Sequence, residues 1–381
     1  MKVTGHCIDR NLENYTNKKG RTCDLLSRGL FIEQVAGGKT SVSTMPMENP
    51  LKAICVTQSR TLEIREILAP EHVPSGHVLI ELDSATITHG DKFFLTRPLP
   101  GGGMSGGRFD VYGSNGAGRV IAIGPDVPPR YAGRQVAIYK TLARSQESVG
   151  LWSEQVLVPY GCTLILPDHV TPRDFNGSFA NVLTVYAFLA DISAAGHKGI
   201  IVTAGSSATG RIAASFASRL KVPAIFLVRS QSAMQELERN GIDHLLMTTE
   251  EGFAERLGAL ATELGTTAVF DGLGGDLLTR IVPVLPMSST VYVYGFLGGP
   301  APISLPTMLI MAKDLTLRRF SNLESPTVSD PAALAAAISE IEGLIDDPLL
   351  KTRIGREFRF DDIDQAMAFE ESSGQRAVLV T

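Results

Sequence analysis

The second half of the chain alternates between short apolar runs and longer segments that are apolar on one side. Short apolar runs are typical of buried parallel strands, and one-sided segments are typical of helices packed on a sheet. The predicted strands are 200–202, 224–228, 243–247, 268–271 and 290–294. The predicted helices are 181–189, 210–219, 232–240, 251–264 and 277–285. This alternation predicts an α/β fold with a doubly wound parallel sheet and right-handed crossovers.

The part of the chain that begins at residue 51 and precedes this alternating region has a different pattern. Short strands separated by Pro and Gly occur at LKAICVT, LEIREI, HVLIELDSATI, AGRVIAIG and RQVAIY. This spacing predicts a small, barrel-like β domain. The Gly-rich stretch 97–118 is predicted to be a mobile loop over a cleft. The tail contains an Ala-rich helix at 332–345 and a last strand, AVLVT, and it either forms its own cap or returns to the β domain.

The first 46 residues match neither pattern. They are polar, mixed in charge and poorly periodic, which predicts an N-terminal extension with little fixed structure. Because MENPLKAICVTQS leads straight into a strand, Met47 is a candidate for the natural start. N-terminal mass spectrometry of the native protein that found Met1 would refute this hypothesis.

Composition narrows the functional classes. A length of 381 residues predicts about two domains. A net charge of −5 without a basic stripe argues against nucleic acid as a partner. The longest apolar runs are far shorter than the ~20 residues needed to cross a bilayer, so no membrane partner is expected. The four cysteines are scattered without a C-x-x-C pair, which predicts neither disulfides nor a cysteine zinc cluster and favours a cytoplasmic location.

The segment 199–217, GIIVTAGSSATGRIAASFA, predicts a strand, a turn of small residues and a helix. Backbone N–H groups and the positive end of a helix meet at such a turn, which suits a phosphate group. Gly205, Ser207 and Gly210 occupy the three glycine positions of the dinucleotide fingerprint, with serine replacing the middle glycine. An ordinary strand–turn–helix crossover is the alternative for this motif alone.

The ends of three further predicted strands bear on the same site. The second strand ends in Arg229-Ser230, where an acid would bind the ribose of NAD and a basic residue accommodates the 2′-phosphate of NADP. The alternative is a solvated arginine at a strand end. FDGLGG at 270–275 and VYGFLGG at 293–299 place two more glycine turns at the carboxyl edge, where open α/β sheets bind ligands.

Over about residues 51–381 the chain resembles the zinc-independent medium-chain dehydrogenase/reductases, in the quinone oxidoreductase and enoyl reductase branch. The resemblance rests on the order and spacing of several segments, namely ITHGDKFF, GSNGAGRVIAIGPDV, GRQVA, GLWSEQVLVP, NVLTVYAFL, FDGLGG, VYGFLGG and FDDIDQAMAFEESSGQRAVLV. It implies a GroES-like β-rich catalytic domain at 47–170 and 304–381 around a Rossmann domain at 171–303. It also implies NADPH in the cleft between them and a homodimer along the cofactor sheet.

Zinc-dependent relatives have a cysteine at the position of Thr88 and a His-Glu pair at Ser114-Asn115, and these three side chains are poor zinc ligands. The resemblance therefore implies no metal. The implied cofactor-binding residues are Thr88, Thr184, Gly205, Ser206, Ser207, Ala208, Thr209, Gly210, Arg229, Ser230, Gly272, Gly295, Phe296, Leu297 and Arg376.

The candidate catalytic residues are His89, Asp91, Tyr112 and Thr184. His89 and Tyr112 are the candidate proton donors, Asp91 is expected to orient the loop, and Thr184 either faces the nicotinamide or bonds back to its own helix turn. Quinone reductases of this family often have a tyrosine where this chain has Phe93. Aromatic residues predicted to make the pocket apolar are Phe93, Phe94, Phe109, Trp152 and Phe296.

These features together predict an NADPH-dependent, metal-free reductase of quinones or α,β-unsaturated carbonyl compounds. Two alternatives stay open. An enoyl-thioester reductase would need a basic patch at the mouth of the pocket to receive a coenzyme A phosphate. A non-catalytic NADPH-binding protein would bind the cofactor without oxidising it.

Overall fold

The computed structural model describes residues 50–97, 107–370 and 374–381, and the backbone of four short strands before residue 50. The chain divides into two compact units, Met1–Pro50 and Leu51–Thr381. In the first unit, β1 (Tyr15–Thr16) pairs antiparallel with β2 (Thr22–Cys23), and β3 (Leu30–Glu33) pairs antiparallel with β4 (Ser41–Thr44). Most of this unit lies outside the described residues, so the expectation of little fixed structure stays a prediction.

The second unit contains the remaining strands and helices. The strands are β5 (Pro50–Val56), β6 (Leu62–Leu68), β7 (His77–Ile87), β8 (Asn115–Ile123), β9 (Gln135–Tyr139), β10 (Gln155–Pro159), β11 (Thr163–Leu166), β12 (Ile200–Val202), β13 (Ala224–Val228), β14 (Leu245–Met247), β15 (Ala268–Asp271), β16 (Thr290–Val293), β17 (Thr316–Arg319), β18 (Arg353–Arg359) and β19 (Gln375–Val380). The α-helices are α1 (His89–Thr96), α2 (Ser178–Ala194), α3 (Ala208–Leu220), α4 (Gln231–Arg239), α5 (Phe253–Leu264), α6 (Gly275–Ile281), α7 (Thr307–Lys313), α8 (Pro326–Ser329), α9 (Pro331–Glu342) and α10 (Ile363–Ala368).

The β-rich domain is built on a seven-stranded sheet in the order β11-β9-β8-β7-β19-β18, with β10 also paired to β7. Its pairs are antiparallel except for β18 and β19, which run parallel. The last strand, β19, lies between β7 and β18, with Ala377 opposite Ile87. The tail therefore returns to the β domain, which was one of the two possibilities. Part of the predicted mobile loop, 98–106, lies outside the described residues.

The second domain is a six-stranded, all-parallel sheet in the order β14-β13-β12-β15-β16-β17. Numbered from β12, this order is 3-2-1-4-5-6, which is that of a doubly wound dinucleotide fold. Successive residues of each strand face opposite sides. Ile200 and Val202 pack in one core with α2 and α3, whereas Ile201 packs in another core with Phe253 and Leu257 of α5.

The boundary between the two domains lies later in the chain than the sequence indicated. Residues 304–381 were all assigned to the β-rich domain, but β17 at Thr316–Arg319 is the sixth strand of the parallel sheet. Ala337 and Ile341 of α9 also pack in the core that contains α2 and α3. The chain returns to the β-rich sheet only at β18. The strand β17 was missed because all four of its side chains are exposed, so it has no apolar signal.

Candidate functional site

The turn between β12 and α3 is held tightly against β13. The Gly205 N–H donates to the carbonyl of Leu227 at 3.0 Å, and the Ser207 N–H donates to the carbonyl of Ala204 at 3.0 Å. Ser207 is the N-cap of α3, because its Oγ accepts a hydrogen bond from the Gly210 N–H at 3.0 Å. The serine that replaces the middle glycine therefore closes the first turn of the helix.

Two glycines of this turn have no room for a side chain. A Cβ atom on Gly210 would lie 2.2 Å from the carbonyl oxygen of Ala204 and 2.5 Å from that of Gly205. A Cβ atom on Gly205 would lie 2.9 Å from the carbonyl oxygen of Leu227. These are distances that real Cβ atoms do not adopt, so glycine permits the close approach of strand and helix that a phosphate-binding turn requires.

The turn after β15 is organised by a buried carboxylate. Asp271 accepts hydrogen bonds from Thr203 Oγ1 at 2.7 Å and from the Gly274 N–H at 2.9 Å. Burial raises the pKa of Asp271, against the effect of these bonds. The Gly272 N–H in turn donates to Thr203 Oγ1 at 3.1 Å. The turns after β12 and β15 therefore form one hydrogen-bonded edge.

The turn after β16 joins the same edge. The Leu297 N–H donates to the Gly272 carbonyl at 2.9 Å, and a Cβ atom on Gly295 would lie 2.9 Å from that oxygen. Tyr294 stacks on Phe270, with ring centroids 4.0 Å apart. The three glycine turns predicted to meet at the carboxyl edge of the sheet do meet there.

A cleft of about 800 Å³ opens over this edge. Residues 205–208, in the turn between β12 and α3, line one side of it, together with Arg229 and Leu297. His89 from α1 and Arg376 from β19 line it from the β-rich domain. Both domains therefore contribute side chains to one cavity large enough for a dinucleotide-sized ligand.

Arg229 is exposed at the end of β13 and lines the cleft. It makes no hydrogen bond or ion pair within the described part of the chain. The next residue, Ser230, is the N-cap of α4 and accepts from the Ala233 N–H at 3.3 Å. A second cation that sequence reasoning missed, Arg280, also lines the cleft and donates to the carbonyl of Thr248 at 3.0 Å.

Asp91 is a buried helix cap. Its carboxylate accepts from the Thr88 N–H at 2.7 Å and from Thr88 Oγ1 at 2.6 Å, and its own N–H donates to Thr88 Oγ1 at 3.1 Å. These bonds form a capping box at the start of α1. Burial raises the pKa of Asp91 to about 6, although the bonds from Thr88 oppose that rise. The orienting role expected of Asp91 stays a prediction.

Tyr112 and Thr184 do not line the cleft. Tyr112 is fully buried, donates its hydroxyl to the Asp91 carbonyl at 2.9 Å and packs edge-on against Trp152. Thr184 Oγ1 donates to the Ala180 carbonyl at 2.6 Å, which is the bond back to its own turn that the sequence left open. His89 is the one member of the predicted catalytic set that lines the cavity.

An aromatic cluster surrounds His89. The Phe296 ring lies 5.0 Å from the imidazole and 4.5 Å from Phe93, with Phe94 at 6.3 Å, measured between centroids. The cluster joins α1 of the β-rich domain to the turn after β16. Trp152, in contrast, is fully buried in the core of the β-rich domain, so its predicted place in the pocket is wrong.

The positions that bind zinc in the metal-dependent relatives are engaged in other contacts. Thr88 is bonded to Asp91, and Asn115 Nδ2 donates to Ser114 Oγ at 2.8 Å. Among the residues that the structure describes, no group of three or more His, Cys, Asp or Glu side chains is close enough to hold a metal ion. Within the same residues, no helix is long and apolar enough to cross a membrane.

Comparisons with known proteins identify the same fold. No family model matches the chain. The human synaptic vesicle membrane protein VAT-1 homolog is 28% identical over 193 residues, which are 49% of this chain and 47% of that protein. The chain thus spans about half the length of the curated relatives it matches.

Two solved structures cover most of the chain. The quinone oxidoreductase of Escherichia coli, complexed with NADPH, is 21% identical with a TM-score of 0.69, over 87% of this chain and 99% of that one. A mycobacterial quinone oxidoreductase is 22% identical with a TM-score of 0.67, over 87% of this chain and all of that one. The predicted α/β fold, with a GroES-like β-rich domain and a Rossmann domain, is confirmed.

Proposed function

We propose that this chain, which has the fold of the quinone oxidoreductases, is an NADPH-dependent, metal-free reductase of quinones or α,β-unsaturated carbonyl compounds. The observation that carries the proposal is a cleft lined by the small-residue turn before α3, here called the phosphate turn, and by Arg229, which has no hydrogen bond or ion pair among the described residues. The other side of this cleft carries His89, whose ring packs against Phe296. One cavity thus combines features of a cofactor site with a titratable side chain.

The residues of the cleft fit NADPH. The small-residue turn and the N-terminus of α3 suit the diphosphate, and Arg376 lines the same cleft. Arg229 stands where the 2′-phosphate of NADP is read, and no acid is present there to bind the ribose of NAD. Gly272, Gly295 and Phe296 lie at the adjoining strand ends, which suits the nicotinamide half.

NADPH, when bound, supplies the hydride, and the protein supplies the position and the proton. The rings of Phe93, Phe94 and Phe296 pack together beside His89 as an apolar wall; His89, and none of the three rings, lines the cleft itself. We propose that this wall accepts a flat, conjugated substrate. His89 lies in contact with that wall and lines the cleft, so it is our candidate for the proton donor. Asp91 and Thr88 hold the start of α1 and hence the imidazole.

The side chains near this wall favour a small substrate over a coenzyme A thioester. Arg60 Nε donates to the Leu95 carbonyl at 2.6 Å, and Lys92 Nζ donates to the Phe369 carbonyl at 2.5 Å. These two cations are therefore engaged by the protein itself. A metal-free reaction is favoured by the donor set, because Thr88, Ser114 and Asn115 are poor zinc ligands.

The test is a substrate screen that follows NADPH absorbance with ortho-quinones and enones, repeated with NADH. We expect oxidation with NADPH and a much slower rate with NADH. Arg229→Ala should lower this preference by about tenfold or more, because a charge-assisted hydrogen bond contributes ~1.5–3 kcal/mol. Arg239→Ala, at an exposed arginine on α4, is the matched control and should leave the preference unchanged.

Other outcomes separate the alternatives. Binding of NADPH without turnover of any quinone or enone would support the non-catalytic alternative. Turnover confined to enoyl thioesters would support the thioester reductase. Equal rates with NADPH and NADH would contradict the role of Arg229, and one tightly held zinc ion per chain would contradict the metal-free reaction.

We also propose a homodimer formed through the edge of the parallel sheet, in a cytoplasmic setting. The edge strand β17 is exposed along its whole length, and Met308 and Met311 of the preceding helix are 72% and 74% exposed. An exposed strand edge beside apolar side chains is suited to pairing with a second copy. Sedimentation equilibrium should find twice the chain mass, and Met311→Glu should shift it toward the monomer.

A further inference from the structure

Arg211 is a buried cation in the first turn of α3, directly after Gly210. Its side chain is only 3% exposed, and its Nε is buried without a hydrogen-bond partner. No carboxylate pairs with it among the described residues. Buried arginines are ordinarily paired, because an uncompensated buried charge is costly.

The surroundings of Arg211 make this charge still less favourable. Arg353 and Arg376 both lie close enough to repel it, and burial together with their charges lowers the pKa of Arg211 to about 9. Arg353 is ion-paired with Glu236, so that carboxylate is already engaged. The N-terminus of α3 is itself positive and disfavours a cation in the first turn.

The direction of the side chain follows from its place in the helix. Long side chains in a helix lean back toward the N-terminus, over the preceding turn. For Arg211 this is the phosphate turn, whose residues Ser206 and Ala208 line the cleft with Arg376. An anion seated at the start of α3 would therefore lie in the field of both arginines.

We propose that Arg211 is a positioning residue that supplies a buried counter-charge for the cofactor diphosphate. The inference rests on the proposed function, since it takes the diphosphate of NADPH as the anion. Under this proposal the buried charge of Arg211 destabilises the free protein and stabilises the complex with NADPH. The same charge therefore couples cofactor binding to the folding of the turn.

The experiment compares Arg211→Met with Arg219→Met in the full chain. Arg219 lies on the same helix but at its other end, where it is paired with Asp347 at 3.3 Å. Thermal unfolding is measured without ligand, with NADPH and with inorganic pyrophosphate, and the Kd for NADPH is measured by fluorescence. Arg211→Met should raise the melting temperature of the free protein by about 2 °C or more, because an unpaired buried charge is replaced by an apolar side chain.

The same variant should raise the Kd for NADPH about tenfold and reduce the stabilisation by pyrophosphate. Arg219→Met should lower the melting temperature of the free protein slightly and keep both ligand effects. Arg211→Lys, which retains the charge, should retain most of the stabilisation by NADPH. It also keeps the test decisive if the methionine variant does not fold.

Each result bears on one proposal. If Arg211→Met binds NADPH and pyrophosphate as the wild type does, the inference is overturned and the proposed function stands. The inference also fails if this variant lowers the melting temperature of the free protein without changing the Kd. If the wild type itself binds no NADPH, the proposed function fails, whatever the variants do.

Discussion

Replacement of Gly210 by alanine is the smallest change that tests the phosphate turn. The new Cβ atom would lie 2.2 Å from the Ala204 carbonyl oxygen, whereas ordinary contacts begin at 3.4 Å. One of the two groups must therefore move by about 1.2 Å, the difference between these distances. The oxygen belongs to the backbone and the Cβ atom is held rigidly by its own Cα atom, so no side-chain rotation can relieve the contact.

The movement has a predictable cost. Forcing one methyl group into a packed site costs ~1–3 kcal/mol of folding free energy. Displacing Ala204 also strains the hydrogen bond that the Ser207 N–H donates to its carbonyl, which fixes the turn. Phosphate contacts made by the turn would then be misplaced by about 1 Å. If two charge-assisted hydrogen bonds of ~1.5–3 kcal/mol each are weakened, NADPH binding falls by roughly a hundredfold or more.

The assay is a fluorescence titration of NADPH, with a thermal melt to show that each variant is folded. Gly210→Ala should bind weakly, and Gly210→Val should show no measurable binding. Gly161→Ala is the control, because a Cβ atom there has no neighbour within 4 Å. A folded Gly210→Val protein with the affinity of the wild type would refute the reasoning, since this turn would then not be the cofactor site.

Three further predictions concern the same domain edge and the start of α1. Ser207→Gly removes an N-cap hydroxyl and should lower the free energy of unfolding by only a few tenths of a kcal/mol. The variant should still bind NADPH. A large rise in the Kd for NADPH would mean that the hydroxyl itself binds the cofactor. Asp91 has a pKa of about 6 in the fold against an ordinary value of 3.8, so its contribution to stability is complete below pH 4 and is lost as the pH rises through 6. The Asp91→Asn side chain stays neutral at every pH. Between pH 4 and pH 7, the free energy of unfolding of this variant should therefore rise by up to ~3 kcal/mol relative to that of the wild type, as measured by urea unfolding. If the difference between the two proteins does not change with pH, the burial effect is contradicted. Tyr112→Phe loses one buried hydrogen bond and should cost about 1 kcal/mol of stability with turnover retained, because its hydroxyl lies away from the cleft.

The parallel sheet could be predicted closely where its strands are buried on both faces. The apolar runs 200–202, 224–228 and 268–271 coincide with β12, β13 and β15, because full burial requires apolar residues throughout. The strand β17 could not be predicted in the same way. It is an exposed edge strand with the sequence TLRR, and its position follows from pairing with β16 alone.

The candidate site also contains some features that the sequence predicts and others that it does not. The turn and Arg229 follow from their positions in a motif whose geometry is fixed by backbone. The orientation of a single side chain does not follow from the sequence, and Tyr112 and Thr184 proved to be engaged within their own domains. Arg211 did carry a signal, since a cation in the first turn of a helix opposes the helix dipole. The sequence alone does not show that this side chain is buried, and only its burial distinguishes Arg211 from an ordinary exposed cation.

The position of β19 has a consequence for the order in which the chain folds. Thr381 bonds to Leu82 across 299 residues of sequence, and β19 completes the sheet between β7 and β18. The last strand of the parallel sheet ends at Arg319, so during synthesis all of its strands are complete before β19 emerges from the ribosome. Until then residues 84–87 of β7, which pair with β19, lack that partner strand, although β10 already pairs with residues 77–81. The β-rich domain is therefore expected to fold last. Before β19 is synthesised, the unpaired part of β7 could pair with another chain and cause aggregation.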